Sequence, residues 1–199
     1  ERGNYVDSHK IFAVILKYLV EEKQMHGEVA RTYALTQIID KLCHKHNLEC
    51  HNLPIGFKHV GKLMTTNNVL MGGEESGGYA FQGHIPERDG IVAGLYLLDF
   101  VTQTNKTPSQ LIDHLFDLVG PHYYERIDTS FPEEQRGAIL ARLQSAQPSE
   151  IAGFKVTGIN TLDGFKYLLA DGGWLVIRFS GTEPIMRFYV ETTQNHKRH

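Results

Sequence analysis

The sequence predicts an α/β layered domain over residues 1–122, followed by a small α+β domain with an antiparallel sheet over residues 123–199. Three observations carry this. In the first part, runs with apolar residues at helical spacing alternate with short β-forming runs, as layered helices and strands require. In the second part, β-forming runs follow one another closely, separated by Asp-Gly turns, as in hairpins. Between them, Gly120-Pro121 ends a helix and cannot continue it, which puts the boundary near residues 120–125.

Asp7 or Ser8 can cap a helix over residues 9–22, in which Ile11, Phe12, Ile15, Leu16 and Leu19 recur at helical spacing. Gly27 breaks the chain, and residues 29–35, rich in β-formers, read as a strand. Thr36 can cap a helix to residue 46 with Ile38, Ile39, Leu42 and Cys43 inward. Residues 50–53 read as a short strand, Pro54-Ile55-Gly56 as a turn and residues 57–64 as a short helix. Val69-Leu70-Met71 is an apolar strand that runs into Gly72-Gly73-Glu74-Glu75-Ser76-Gly77-Gly78. Residues 89–102 read as a helix, and Thr107-Pro108 opens the next, with Thr as cap and Pro in the first turn. In the second part a helix over residues 132–144 precedes strands at 154–159, 164–169, 174–179 and 185–191, with turns at Asp163-Gly164 and Asp171-Gly172-Gly173. The polar residues 193–199 read as a disordered tail.

The chain has 199 residues, 41% hydrophobic and 22% charged, with a formal net charge of -3. That balance supplies no general field to attract nucleic acid or an anionic membrane, so any anion must be held by a few placed groups. No apolar run approaches the roughly 20 residues of a membrane span. Two cysteines, Cys43 and Cys50, make no disulfide framework and point to a reducing, cytoplasmic setting. The opening Glu1-Arg2-Gly3-Asn4 has neither initiator Met nor secretory leader and reads as a turn cut from a longer chain.

Two loops carry chemistry. In Gly72-Gly73-Glu74-Glu75-Ser76-Gly77-Gly78, glycines let the backbone bend tightly and a ligand approach it, while carboxylates and a hydroxyl can bond sugar hydroxyls. The same spacing also fits a solvent-facing turn. In Arg178-Phe179-Ser180-Gly181-Thr182-Glu183-Pro184, followed by Arg187 and Tyr189, a strand delivers a guanidinium to a turn of small residues. Backbone N–H groups there can form an anion nest, helped by the Ser180 and Thr182 hydroxyls and the planar fork of Arg178. A hairpin turn with one solvated arginine has the same pattern.

Together and in this order, the two loops resemble the α-D-phosphohexomutase family. Gly73-Glu74-Glu75-Ser76-Gly77 is similar to the sugar-binding loop of its third domain, and Arg178 to Pro184 to the phosphate-binding loop of its fourth. Residues 1–6 resemble the stretch downstream of the family's metal loop. Pro54-Ile55-Gly56-Phe57-Lys58 resembles a segment whose lysine reaches the cleft, and His84-Ile85-Pro86-Glu87-Arg88-Asp89-Gly90 the run into the next helix. The resemblance implies the C-terminal part of a Mg²⁺-dependent enzyme that interconverts hexose 1- and 6-phosphates through a phosphoserine and a bisphosphorylated sugar. Glu74 and Ser76 would then hold sugar hydroxyls, Arg178, Ser180, Gly181 and Thr182 the phosphate, and Lys58 would be the candidate catalytic residue near the reacting centre. The Glu-Glu-Ser form of the sugar loop leans to glucose, with mannose the near alternative. The family's serine loop and its Asp-Gly-Asp metal loop do not occur here, so these residues alone are expected to be inactive, without a metal ligand set, and to work with the missing N-terminal domains of the same protein. The helix that usually follows the family's last strand is also not seen in the sequence. A non-catalytic sugar-phosphate-binding module and a structural domain are the competing readings.

Eleven histidines invite a metal site around Cys43, His44, His46, Cys50 and His51. His44 and His46 fall on different sides of a helix, and the cysteine spacing matches no common zinc pattern. Trp174 reads as sheet core, and His196-Lys197-Arg198-His199 as an end too short for nucleic acid.

Overall fold

Asp7 accepts the Lys10 N–H at 3.0 Å and so starts α1, Ser8–Glu21, in the computed structural model, which describes residue 3 and residues 5–194. The sequence predicts one apolar face for this helix. Instead Ala13, Val14, Lys17, Tyr18 and Val20 are also buried, because the helix is covered on nearly every side. A helix enclosed in this way is central rather than amphipathic. Lys17 is accommodated by Glu21, 2.6 Å away.

Around α1 the first unit is a four-stranded sheet ordered β2-β1-β3-β4, made of β1 (Glu28–Thr32), β2 (Cys50–Leu53), β3 (Val69–Gly73) and β4 (Tyr79–Phe81). β1 pairs in parallel with β2 and β3, while β4 adds an antiparallel edge. The main core joins α1 to α2 (Ile38–His46), α4 (Gly90–Thr104) and α5 (Pro108–Val119). A separate cluster of Ala30, Phe57, Val60, Val69 and Ala80 seats α3 (Phe57–Met64) on the sheet. Helices in two clusters over one largely parallel sheet make the α/β layering. Strand β1 stops at Thr32 rather than Leu35, because Leu35 N–H turns back to the Thr32 carbonyl (2.9 Å) and Thr36 Oγ1 accepts the Ile38 N–H (3.1 Å). The β-forming Tyr33, Ala34 and Leu35 serve burial instead, all at 0% exposure. Thr107 and Gln110 complete a capping box at α5.

The chain divides into Glu1–Pro121 and His122–His199. The second unit is a six-stranded antiparallel sheet ordered β5-β10-β9-β8-β7-β6. Its strands are β5 (Tyr123–Ser130), β6 (Glu150–Ile151), β7 (Phe154–Asn160), β8 (Phe165–Leu169), β9 (Trp174–Phe179) and β10 (Ile185–Thr192). A 3₁₀ turn, Glu133–Gln135, leads into α6, Arg136–Ser145, where a helix from residue 132 was expected. Trp174 is fully buried with Val176 and Tyr189, donates to Glu191 Oε1 at 2.9 Å and lies under the Lys166 ammonium at 4.2 Å, so it is core. The expected tail falls largely on residues 195–199, outside the described residues, as do residues 1, 2 and 4 of the opening turn. Among the described residues no helix is long and apolar enough to cross a membrane.

Candidate functional site

Strand β3 carries Gly72 and Gly73 into the first loop and Tyr79 begins the return. The loop closes through Glu74 N–H to Gly78 O (3.0 Å) and Gly77 N–H to Glu74 O (3.1 Å). Its two carboxylates do different work. Glu75 faces inward to the scaffold: Thr32 Oγ1 donates to its Oε2 at 3.1 Å and the Ser8 hydroxyl donates to its carbonyl. Glu74 faces the neighbouring cleft, with Oε1 accepting the Gly56 N–H at 3.0 Å and Oε2 3.6 Å from the Arg88 guanidinium. Burial first, then Glu75, pushes the Glu74 carboxyl above its usual range, against the pull of Arg88 and the Gly56 N–H. The cleft holds about 600 Å³ and is lined by Lys58, Lys62, Glu74, Glu87 and Arg88 among others. Lys58, exposed at the start of α3, thus shares the cleft with Glu74. Ser76 sits on the exposed tip of the loop and is not among the lining residues. Arg88, noticed in the sequence only as part of a longer run, stacks on Phe57 at 5.2 Å and ties to Glu87 at 3.2 Å. This poises one cation beside Glu74.

Glu74→Gln is therefore expected to separate stability from binding. A carboxyl held above its unfolded pKa costs folding free energy once ionised. The cost is absent below the unfolded pKa and complete above the folded one. The variant should melt higher than its parent at neutral pH, with the gain vanishing as the pH falls through the carboxylate range. Its response to a hexose phosphate, the ligand the resemblance implies for this loop, should weaken by about tenfold, since an amide is a poorer acceptor than a carboxylate. Melts at neutral and acidic pH with a parallel titration check both. A lower melt at neutral pH would contradict the strained-carboxylate account.

The second loop leaves β9 at Phe179 and closes where the Ser180 N–H meets the Ile185 carbonyl at 2.8 Å. Ser180 is 2% exposed, and its Oγ lies 3.5 Å from the Thr182 N–H, so its hydroxyl braces the turn from within. Gly181 and Thr182 form the exposed rim. Arg178 Nε donates to Asp163 Oδ1 at 3.0 Å, from a hairpin packed closely because Gly164 (φ 93°) has no Cβ; one there would lie 2.6 Å from the Ile177 carbonyl. Arg178, Asp163, Gly181, Leu140 and Gln144 line a cleft of about 530 Å³. The register pairs Arg178 with Arg187 directly across β9 and β10, so both guanidinium groups project from one face. Arg187 is only loosely compensated, its Nε 3.8 Å from Asp128 and without a hydrogen bond, and its Nη2 4.0 Å from Glu183. Two like charges facing each other under a turn of small residues are an arrangement that an anion relieves. Arg136 went unnoticed in the sequence. It reaches the Ser180 and Glu183 carbonyls at 3.4 and 3.3 Å and lies 5.2 Å from each of the Phe131 and Phe179 rings, holding the loop's shape.

Among the described residues, Cys43, His44, His46, Cys50 and His51 supply no group of three candidate ligands of their own. His46 pairs with Glu21 at 3.0 Å, His51 with Glu28 at 2.7 Å, and Cys43 is buried. Among the described residues one group of three possible ligands emerges, Glu28, Glu49 and His51. It includes an imidazole, which suits Mg²⁺ poorly, and no residue of either loop.

Two family models match the chain. Residues 7–119 match the one described as phosphoglucomutase/phosphomannomutase, alpha/beta/alpha domain III, and residues 131–198 the one described as phosphoglucomutase/phosphomannomutase, C-terminal domain. A phosphoglucomutase/phosphomannomutase of Thermococcus kodakarensis is 30% identical over 197 residues, which are 99% of this chain and 41% of that protein. A phosphoglucosamine mutase of Rubrobacter xylanophilus is 28% identical over 191 residues, 96% of this chain and 39% of that protein. A solved structure from Thermus thermophilus, assigned as a phosphomannomutase, gives a TM-score of 0.77 at 28% identity, covering 94% of this chain and 37% of that one. The chain spans about 40% of the length of the curated relatives it matches.

Proposed function

Since this chain belongs to the phosphoglucomutase/phosphomannomutase family, we propose that its two loops bind a hexose phosphate during the interconversion of hexose 1-phosphate and hexose 6-phosphate. The observation that supports the reading is the cross-strand pair Arg178 and Arg187, with Arg178 and Gly181 lining one cleft, a pairing of cations suited to an oxyanion. In this reading Arg178 and the Gly181 and Thr182 backbone hold the phosphate, with Ser180 bracing the turn. Glu74 accepts from sugar hydroxyls, and Ser76 reaches the sugar from the loop tip. Lys58 supplies a positive charge, or a proton, at the rim of the Glu74 cleft. Phosphoryl transfer needs a nucleophile and charge neutralisation that we place in further domains of the same protein, where Mg²⁺ would offset charge on the transferring group. The 199 residues are then a binding half without turnover. Glucose is the favoured sugar, on the Glu-Glu-Ser form of the loop, with mannose the alternative. Relatives that carry the phosphoglucosamine name make the amino sugar the third arm of the test.

The test is a titration of the chain with glucose 1-phosphate, mannose 1-phosphate and glucosamine 1-phosphate, with glucose as control, followed by amide shifts. Saturable shifts in both loops with glucose 1-phosphate, weak with glucose, support the proposal. A stronger response to either other sugar phosphate reassigns the specificity. Silence of both loops at millimolar ligand removes binding by these residues on their own.

A further inference from the structure

Asp163-Gly164, in the sequence a hairpin turn, also reaches the cleft beside the second loop. Asn160 Oδ1 accepts the Leu162 N–H at 2.9 Å and so folds the connection between β7 and β8. Gly164 then lies against β9, where an added Cβ would stand 3.3 Å from the Arg178 Cβ. That close approach brings Asp163, the residue before it, beside the Arg178 side chain. Asp163 Oδ1 accepts from Arg178 Nε at 3.0 Å, and both side chains are partly buried, so water screens the contact less than it would on an open surface. Asp163, Arg178 and Gly181 line the same cleft.

Three carboxylates stand beside the opposed arginines, and they are not equivalent. Asp128 lies 3.8 Å from Arg187 Nε and is itself held by Arg126 through bonds of 2.8 and 2.6 Å. Glu183 lies 4.0 Å from Arg187 and is largely exposed, where water and salt weaken it. Asp163 is the closest of the three to either guanidinium. Its bond occupies Nε of Arg178, so two-pronged contact with an oxyanion falls to the terminal nitrogens of the fork. Anchoring Nε also removes rotamer freedom that a long side chain would otherwise lose on binding.

We propose that Asp163 is a positioning residue for the phosphate: it fixes the Arg178 fork through Nε, and its charge moderates the hold of the two arginines on the anion. This rests on phosphate being the ligand of the cleft. The carboxylate is the counter-ion of the arginines before phosphate binds and competes with phosphate afterwards. Orientation strengthens binding and the negative charge weakens it. The two contributions have opposite signs, so substitution separates them.

The experiment titrates inorganic phosphate into the 199-residue chain and into Asp163→Asn and Asp163→Ala, each alone and combined with Arg178→Ala, and follows amide shifts. Asparagine keeps an acceptor for Nε and loses the charge, whereas alanine loses both. Asp163→Asn should bind about threefold to tenfold tighter than the parent at low salt, and the gain should shrink as salt is added. Asp163→Ala, equally neutral, should bind about tenfold more weakly than Asp163→Asn. In the Arg178→Ala background the two should bind alike, because the acceptor then has no Nε to hold. A merely structural role would leave their difference in place. Parent-like affinity in Asp163→Asn at low salt, equal affinity of the Asn and Ala forms with Arg178 present, or a difference that persists without Arg178 would each overturn the proposal. A parent that does not respond to phosphate overturns the phosphate reading of the cleft instead, and this proposal with it. If Asp163→Ala folds poorly, the parent and Asp163→Asn compared at two salt concentrations still decide.

Discussion

Gly73→Ala is expected to destabilise the first unit by about 1–3 kcal/mol and to abolish the response of the Glu74 loop to the hexose phosphates proposed as its ligands. A Cβ at Gly73 would lie 2.7 Å from Tyr79 Cδ1, 2.8 Å from Phe12 Cε2 and 2.9 Å from the Gly78 carbonyl oxygen. None of these can yield cheaply. Phe12 and Tyr79 are 0% and 3% exposed and meet edge to face at 5.4 Å, so either ring moves only with the core around α1. The Gly78 carbonyl holds the Glu74 N–H, and displacing it opens the loop that aims Glu74 into its cleft. The methyl group therefore either parts β3 from α1, seen as lost stability, or swings Glu74, seen as lost binding. Urea unfolding and the glucose 1-phosphate titration separate the two. Gly94→Ala is the matching control: it lies within α4 with nothing inside 4 Å of its would-be Cβ, and should gain up to about 1 kcal/mol from helix propensity. Parent-like stability and binding in Gly73→Ala would mean that the loop is not held by this packing.

That packing marks the limit of what the sequence discloses. Elements with a strong local period or punctuation were legible: β2 and α3 begin and end as read, because Pro54-Ile55-Gly56 separates them. Strand β5 was not, since it is an edge strand with most residues exposed and no apolar alternation. Only its pairing with β10, along the whole of Tyr123–Ser130, makes it a strand. Strand β4 is three residues long and exists through its register with β3. The same division runs through the candidate site. Both loops were legible because glycine and small polar residues at fixed spacing are a local signal. The division of labour between Glu74 and Glu75 was not, because it depends on Thr32, a long way back in the chain, taking one carboxylate for the scaffold. Arg136 was missed for the same reason: its partners, the Ser180 and Glu183 carbonyls, lie 44 and 47 residues away. Distant hydrogen bonds leave no periodic trace.

Arg178→Ala should cut the affinity for a sugar phosphate or inorganic phosphate by about tenfold to a hundredfold, the usual worth of a charge-assisted hydrogen bond. It should cost the fold little. Arg178 stands opposite Arg187 across β9 and β10, and like charges in directly opposed positions oppose folding. Removing one guanidinium relieves that repulsion while freeing Asp163, which is 20% exposed at its side chain and can take up water in place of the 3.0 Å bond from Nε. The melt of the ligand-free variant should therefore stay near the parent's, so that lost binding is not mistaken for lost structure. Arg178→Lys tests the geometry of the contact. An ammonium keeps the charge but loses the planar fork, so it should recover only part of the affinity, and what it recovers should fall more steeply with added salt. Phosphate titrations of parent, Ala and Lys forms at low and high ionic strength read all of this. Full recovery by lysine would mean that charge alone holds the phosphate. Undiminished binding in Arg178→Ala would move the phosphate away from this turn and leave the facing arginines without the ligand assigned to them.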